Sequence, residues 1–228
     1  MVSENEIMPV RIRFSKTGDL MYISHLDLAR TMQRIIVRSG VDIWYSEGFN
    51  PQPRIVFALP LPVGVESTCE LMDIKINHPM EFSEIKERIN KSFPDEMKVL
   101  EVYAPEQKFK NIVYADYTIK LYSPRLTADT AKEINNLFDS ECIVTKKSKS
   151  GEKEVDIRDF IKTVSAEYVQ DCIEISAVVC AGNESNLNPE LIVEAIRRHL
   201  NIMNSGTIEE YCTIMRNKML DAELVEFK

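Results

Sequence analysis

Apolar and polar residues alternate from Val10 to Phe14 as Val-Arg-Ile-Arg-Phe, the period-two pattern of a strand with one buried face. A turn follows at Gly18-Asp19. Ser24-His-Leu-Asp27 then has the form of a capping box, with Ser24 as N-cap and Asp27 three residues on. Beyond it Leu28, Met32, Ile35 and Ser39 fall on one helical stripe, flanked by Ala29 and Ile36, and Ser39-Gly40 supplies a left-handed stop. The pattern predicts a second strand over Val41–Tyr45 and a third over Arg54–Leu59. The segment between them, Glu47-Gly-Phe-Asn-Pro-Gln-Pro53, is too rich in turn residues to stay regular. After the stiff loop Pro60-Leu-Pro-Val-Gly64, alternation returns over Cys69–Asn77. Phe82–Phe93 reads as an amphipathic helix and Met97–Tyr103 as a closing strand.

Ala104-Pro-Glu-Gln-Lys108 marks a boundary, and the same order of elements begins again beyond it. Ile112–Tyr122 is a predicted strand, Thr127–Phe138 a helix capped by Thr127, and Cys142–Lys147 a strand. Lys146–Lys153 reads as a polar hairpin turn, and Glu154–Ile161 is mixed. Cys172–Cys180 alternates strongly. Asn188-Pro189 opens a helix with Leu191, Ala195 and Arg198 on its stripe. Tyr211–Arg216 is a last strand, and Leu224–Phe227 pairs at an edge. The fold class expected is α+β: two ferredoxin-like βαββαβ lobes in tandem, 1–105 and 106–228.

With 228 residues, 44% hydrophobic and 28% charged, the chain has material for a core and an ordinary surface. Its longest apolar runs fall short of the ~20 residues a bilayer span needs, and the acidic start lacks the form of a signal peptide, so a cytoplasmic protein off the membrane is expected. The five cysteines are scattered, which argues for buried reduced thiols and against a disulfide or metal framework. Net charge is −8. Yet residues 9–64 carry seven Lys or Arg against four Asp or Glu, a small basic region on an acidic chain.

Three candidate features follow. Arg30, Arg34 and Arg38 stand at i, i+4 and i+8 on one helical face. They form either a docking ridge for phosphates or a solvated face paired with the acidic second lobe. Ser46-Glu-Gly-Phe-Asn-Pro-Gln-Pro-Arg54 sets an aromatic, Phe49, beside Asn50 in a proline-stiffened loop followed by Arg54, a pattern suited to stacking on bases. Phe49 as a plug of the core is the alternative. Gly64 and Glu66 belong to a second special loop, where glycine permits close approach. His25, His78 and His199 are too dispersed to suggest a catalytic arrangement, and no phosphate-binding glycine motif is present.

Arg11-Ile-Arg-Phe-Ser-Lys-Thr-Gly18, Ser24-His-Leu-Asp27, Ser46-Glu-Gly-Phe-Asn-Pro51 and Phe57-Ala-Leu-Pro-Leu-Pro-Val-Gly-Val-Glu-Ser67 resemble the bacterial radical-SAM-linked protein family. Val155-Asp-Ile-Arg158 and Asn188-Pro189 extend the likeness weakly. The resemblance implies an accessory to a radical-SAM enzyme, a family of unknown reaction often encoded beside such enzymes and near ribosomal-protein and RNA-processing genes. Radical-SAM chemistry needs a C-x-x-x-C-x-x-C cluster loop. This sequence contains none, so the enzyme would act in trans and bring the iron–sulfur cluster, and no cofactor is expected in this chain. A second likeness, of architecture alone, is to two-lobed tRNA pseudouridine synthases. Aligning their Gly-Val pair on Gly64-Val65 places Pro62 where their catalytic Asp stands.

The resulting expectation is a non-catalytic recognition module for a radical-SAM enzyme, acting on RNA or a ribosome-linked substrate. Its binding residues would be Arg30, Arg34, Arg38, Ser46, Phe49, Asn50, Arg54, Gly64 and Glu66, with no catalytic or metal-ligating residue. An RNA-modifying enzyme and a purely structural partner are the alternatives.

Overall fold

A computed structural model describes residues 7–148, 151–182 and 184–228. The chain divides into two compact units, Met1–Phe109 with Lys228, and Lys110–Phe227. It is a mixed α/β protein whose strands pair antiparallel within each unit, with four α-helices among the described residues.

In the first unit the order is β1 (Met8–Lys16), α1 (His25–Arg38), β2 (Ile55–Phe57), β3 (Val65–Ile76), α2 (Phe82–Asn90) and β4 (Met97–Tyr103). The strands lie in the order β4-β1-β3-β2. Val10, Ile12 and Phe14 of β1, with Met72, Ile74 and Ile76 of β3, turn one face of the sheet toward Leu28, Met32, Ile35 and Ile36 of α1 and Ile85 and Ile89 of α2. α1 begins as its sequence predicts. Ser24 Oγ accepts from the Asp27 amide at 3.1 Å and donates to the Asp27 carboxylate at 2.8 Å. Gly40 ends the helix at φ +73°, a conformation that suits glycine.

The predicted strand Val41–Tyr45 is not one. Ile43 and Tyr45 make isolated bridges, to Ile76 and Pro53, and the Trp44 amide donates to the Lys75 carbonyl at 2.7 Å. The segment thus touches the end of β3 and then pairs with its own loop instead of continuing as a strand. The predicted third strand shortens to the three residues of β2.

The opposite face of β1 also departs from expectation. Arg11, predicted to point to solvent, is 1% exposed. Its cross-strand neighbour on β3 is Asp73. The guanidinium donates to both carboxylate oxygens, Nε to Oδ1 at 2.7 Å and Nη2 to Oδ2 at 2.8 Å. Nη2 also donates to the Gln107 carbonyl at 2.8 Å, and the group stacks over the Phe109 ring at 4.2 Å. The segment after β4, read from the sequence as a boundary, is thereby fastened to the sheet. Burial raises the Tyr103 hydroxyl pKa beside it.

The second unit runs β5 (Tyr114–Tyr122), α3 (Ala128–Leu137), β6 (Ile143–Ser148), β7 (Gly151–Asp156), β8 (Ile161–Val169), β9 (Cys172–Cys180), α4 (Glu190–Leu200) and β10 (Tyr211–Leu220). Its sheet has the order β10-β5-β9-β8, and β6 and β7 form a separate hairpin. Lys149 and Ser150 of the predicted hairpin turn lie outside the described residues. Two expectations change here. Cys142–Lys147 does not join the main sheet. β8 takes that place instead, an edge strand of which only Ile161 and Ala166 are buried, and whose short alternation from Val164 to Tyr168 lies outside the strands expected from sequence. The buried stripe of α4 is Ile192, Val193, Ala195 and Ile196. Arg198 is not on it. It donates to Thr145 at 2.9 Å and Glu154 at 2.8 Å, and so ties α4 to the hairpin.

Each unit seals one strand edge with an asparagine. Asn90 of α2 accepts from the Val99 amide at 2.8 Å and donates to the Val99 carbonyl at 3.2 Å. Asn135 of α3 treats Ala166 of β8 in the same way, at 2.8 and 2.9 Å.

Replacing Asp73 by Ala leaves Arg11 buried without its carboxylate. It should lower unfolding free energy by about 3 kcal/mol in urea titrations, with Asp73→Asn costing less. A second expectation concerns acid. The Glu210 side chain is 3% exposed. Ser205 through its hydroxyl and amide, then Arg125 and Ser123, hold its carboxyl at about 2, below the usual 4.5. The unfolded chain takes up this proton first, so Glu210 stabilises the fold above pH 4.5 and that contribution is lost as pH falls toward 2. Between about pH 6 and about pH 3 the urea midpoint of Glu210→Gln should fall less than that of the wild type.

Candidate functional site

The apolar stripe of α1 fixes the direction of its other face. With Leu28, Met32, Ile35 and Ile36 turned into the core, Arg30, Arg34 and Arg38 are all directed away from it. A separation of four residues sets them about 6 Å apart along the helix axis. Arg30 is 3.6 Å from Asp27, a pair open to water on both sides. Among the described residues the side chains of Arg34 and Arg38 have no hydrogen-bond or ion-pair partner. They therefore stand as two unneutralised cations one helical turn apart.

The loop after Trp44 is built to hold a shape. At its base Tyr45 bridges Pro53, and the Arg54 amide donates to the Trp44 carbonyl at 3.3 Å. Inside it, the Ser46 amide donates to the Gln52 carbonyl at 3.0 Å, and the Gln52 amide returns to Ser46 Oγ at 3.1 Å. Gln52 Nε2 donates to Asn50 Oδ1 at 3.1 Å. Gly48 adopts φ +123°, a backbone conformation L side chains rarely adopt. Ser46 and Asn50 are thus clasps of the loop. Phe49 is fully exposed, so it is no core plug.

The two elements meet. Gln33, Arg34, Val37 and Arg38 of α1 line a shallow cavity of about 360 Å³ with Gln52 and Pro53 of the loop. Of the residues singled out from sequence, Arg34 and Arg38 reach this cavity. Phe49 stands exposed on the same loop, and Arg54 is exposed at its base. Gly64 and Glu66 serve another segment. The Gly64 amide, at φ +85°, donates to the Met21 carbonyl at 2.9 Å, and Glu66 accepts from the Gly18 amide at 2.7 Å. Both pin the short 3-10 turn Gly18–Tyr22 that leads into α1. Gln33, Val37, Gln52 and Pro53 were not singled out from sequence. The helical period could have found the first two, since 33 and 37 form the column next to 34 and 38.

The histidines have local partners. His25 lies edge-on to Phe57 at 5.2 Å, and His199 Nε2 is 2.9 Å from the Ile143 carbonyl. His78 Nδ1 is 2.8 Å from Asp42, whose carboxyl is held below its usual range by Asn77 and then by His78. Burial pushes the Cys142 thiol up to about 11, and raises that of Cys212. Among the described residues no group of three or more His, Cys, Asp or Glu is placed to hold a metal ion, and no helix is long and apolar enough to cross a membrane.

The model of a family described as an uncharacterized protein conserved in bacteria (DUF2344) matches residues 10–189. No curated protein matches the chain. Among solved structures, a chain in the crystal structure of a Cbf5-Nop10-Gar1 complex is similar over 92% of this chain at 8% identity, with a TM-score of 0.48. This chain spans about half of it, 48%. An unknown protein from Galdieria sulphuraria aligns over 92% of this chain and 99% of its own, at 6% identity and a TM-score of 0.27. Neither likeness carries an argument about function.

Phe49→Ala should leave the melting temperature within about 1–2 °C of the wild type in calorimetry, because truncating an exposed side chain costs within about 0.5 kcal/mol.

Proposed function

The chain belongs to that bacterial family of uncharacterized proteins, and on this premise we propose that it is a non-catalytic recognition module that holds RNA for a radical-SAM enzyme acting in trans. One observation carries the RNA half of this reading: Arg34 and Arg38, unneutralised, share a cavity with Gln52 and Pro53 of a preorganised loop that presents Phe49. Phosphates are matched by the guanidinium groups, and the planar ring and carboxamides suit bases. The basic balance of residues 9–64 on a chain of net charge −8 favours a defined anionic ligand over bulk polyanion binding. The partner half is supported by the sequence strings between Arg11 and Ser67 together with the missing cluster loop.

We read each unit as a ferredoxin-like lobe. Support comes from the βαββαβ connectivity and the order β4-β1-β3-β2 in the first, and from β10-β5-β9-β8 with an inserted hairpin in the second. On this reading the first lobe carries the ligand site.

The test is an RNA titration of the wild type and of Arg30→Glu/Arg34→Glu/Arg38→Glu over a range of salt. The triple variant should melt like the wild type and bind RNA more weakly at low salt. Its slope of log K against log salt should flatten by about 0.7 for each phosphate it no longer neutralises. Unchanged affinity at every salt concentration removes the arginine row from the site. Capture of the tagged full chain from native lysate should recover a radical-SAM polypeptide, and repeated failure to do so counts against the partner half.

A further inference from the structure

We infer that the α1–loop site takes single-stranded RNA, with a base stacked on Phe49 and the neighbouring phosphates on Arg34 and Arg38, and rejects duplex. This rests on the reading of the site as an RNA site and goes beyond it, since a row of cations alone would serve either form.

Phe49 sets the preference for an unpaired strand. Its ring is fully exposed, and the Ser46–Gln52 clasp together with the Tyr45–Pro53 bridge defines the backbone that carries it. An apolar ring held in water by an ordered loop gains free energy only when a flat apolar surface covers it. In an A-form duplex the bases are stacked on each other, so no base face within the helix is open to such a ring. An unpaired strand offers the face of any base, which aromatic side chains accept with little regard to sequence. Because the loop is already ordered, binding does not bear the entropy of arranging it.

The cavity points the same way. It is lined by two carboxamides, Gln33 and Gln52, as well as by Arg34 and Arg38. The Gln33 side chain makes no hydrogen bond among the described residues, and Gln52 uses its Nε2 on Asn50. A carboxamide offers a donor and an acceptor on one plane, the complement of a base edge rather than of a phosphate. An unpaired strand opens its Watson–Crick edges to such groups, whereas a duplex uses those edges in pairing. Guanidinium groups beside those carboxamides can hold the backbone phosphates of the same strand.

The experiment compares the wild-type full chain with Phe49→Ala and Phe49→Trp. The probes are a labelled single-stranded RNA of about ten nucleotides, a size within the usual range for single-strand binders, and the same sequence in a blunt duplex. The wild type should bind the single strand at least about tenfold more tightly than the duplex, and Phe49→Ala should weaken single-strand binding by about 5- to 100-fold, the range expected of one stacking interaction. Phe49→Trp should restore the affinity. The salt dependence should be the same in all three proteins, because the arginines that meet the phosphates are unchanged. Equal binding of single strand and duplex, or indifference to Phe49→Ala, overturns the single-strand inference and leaves the RNA reading standing. Failure of the wild type to bind either probe overturns the RNA reading itself. Loss of a captured polypeptide partner on Phe49→Ala, with RNA affinity unchanged, also overturns the inference and assigns the ring to a protein interface.

Discussion

A guanidinium closed away from water is the constraint around which the first unit is organised. Moving an ion the size of Arg11 out of water costs several kcal/mol unless its donors are answered. Here Nε and Nη2 of the Arg11 carried by β1 are answered from two distant places in the sequence: Asp73 of β3 supplies the carboxylate, and Gln107 a carbonyl, with the Phe109 ring stacked on the group. The pair spans the two inner strands of the order β4-β1-β3-β2, so it sets their register while the opposite face packs on α1 and α2. A slip of β1 by one residue would put Arg11 among Met72, Ile74 and Leu28 and bring Ile12 opposite Asp73. The helix carrying Arg34 and Arg38 is thus aimed by a sheet whose register is fixed twice, once by apolar packing and once by charge.

Much of this was legible in the sequence, and the misses have physical causes. Helix starts were readable because caps are local: Ser24 with Asp27, and Thr127 with Thr130, complete their bonds within three residues. Strands with an apolar face, β1, β5 and β9, were readable by alternation. β8 was missed although Val164, Ala166 and Tyr168 alternate with Thr163, Ser165 and Glu167, because an exposed edge strand leaves few positions that must be strongly apolar and the signal is short and weak. Val41–Tyr45 has the composition of a strand and runs beside the end of β3, but its pairing is limited to the Ile43–Ile76 bridge and the bonds that flank it. The burial of Arg11 was invisible because Asp73 and Phe109 are remote in the sequence. At the candidate site the arginine row could be read by helical period. The share of Gln52 and Pro53 in the same cavity depends on how a loop folds back, which no local pattern encodes.

The candidate site joins two kinds of stiffness. α1 is rigid because one face is buried, so its cations keep a fixed spacing without needing partners of their own. The loop buries little and is held instead by hydrogen bonds among Ser46, Asn50 and Gln52, with Gly48 in a conformation that suits glycine. Two of the residues that first drew notice, Ser46 and Asn50, are occupied by this internal bonding. A hydroxyl or carboxamide in a turn-rich segment is as apt to organise its own backbone as to meet a ligand.

The paired asparagines carry a consequence of a different sort. An outer strand normally displays a ladder of open amides and carbonyls that any extended peptide can join. At Val99 and at Ala166 that ladder is broken by a rung the protein supplies itself, a carboxamide that imitates the next strand and goes no further. Each sheet therefore has a margin as well as a width. A second chain extending along either border by backbone alone meets that break at Val99 or at Ala166.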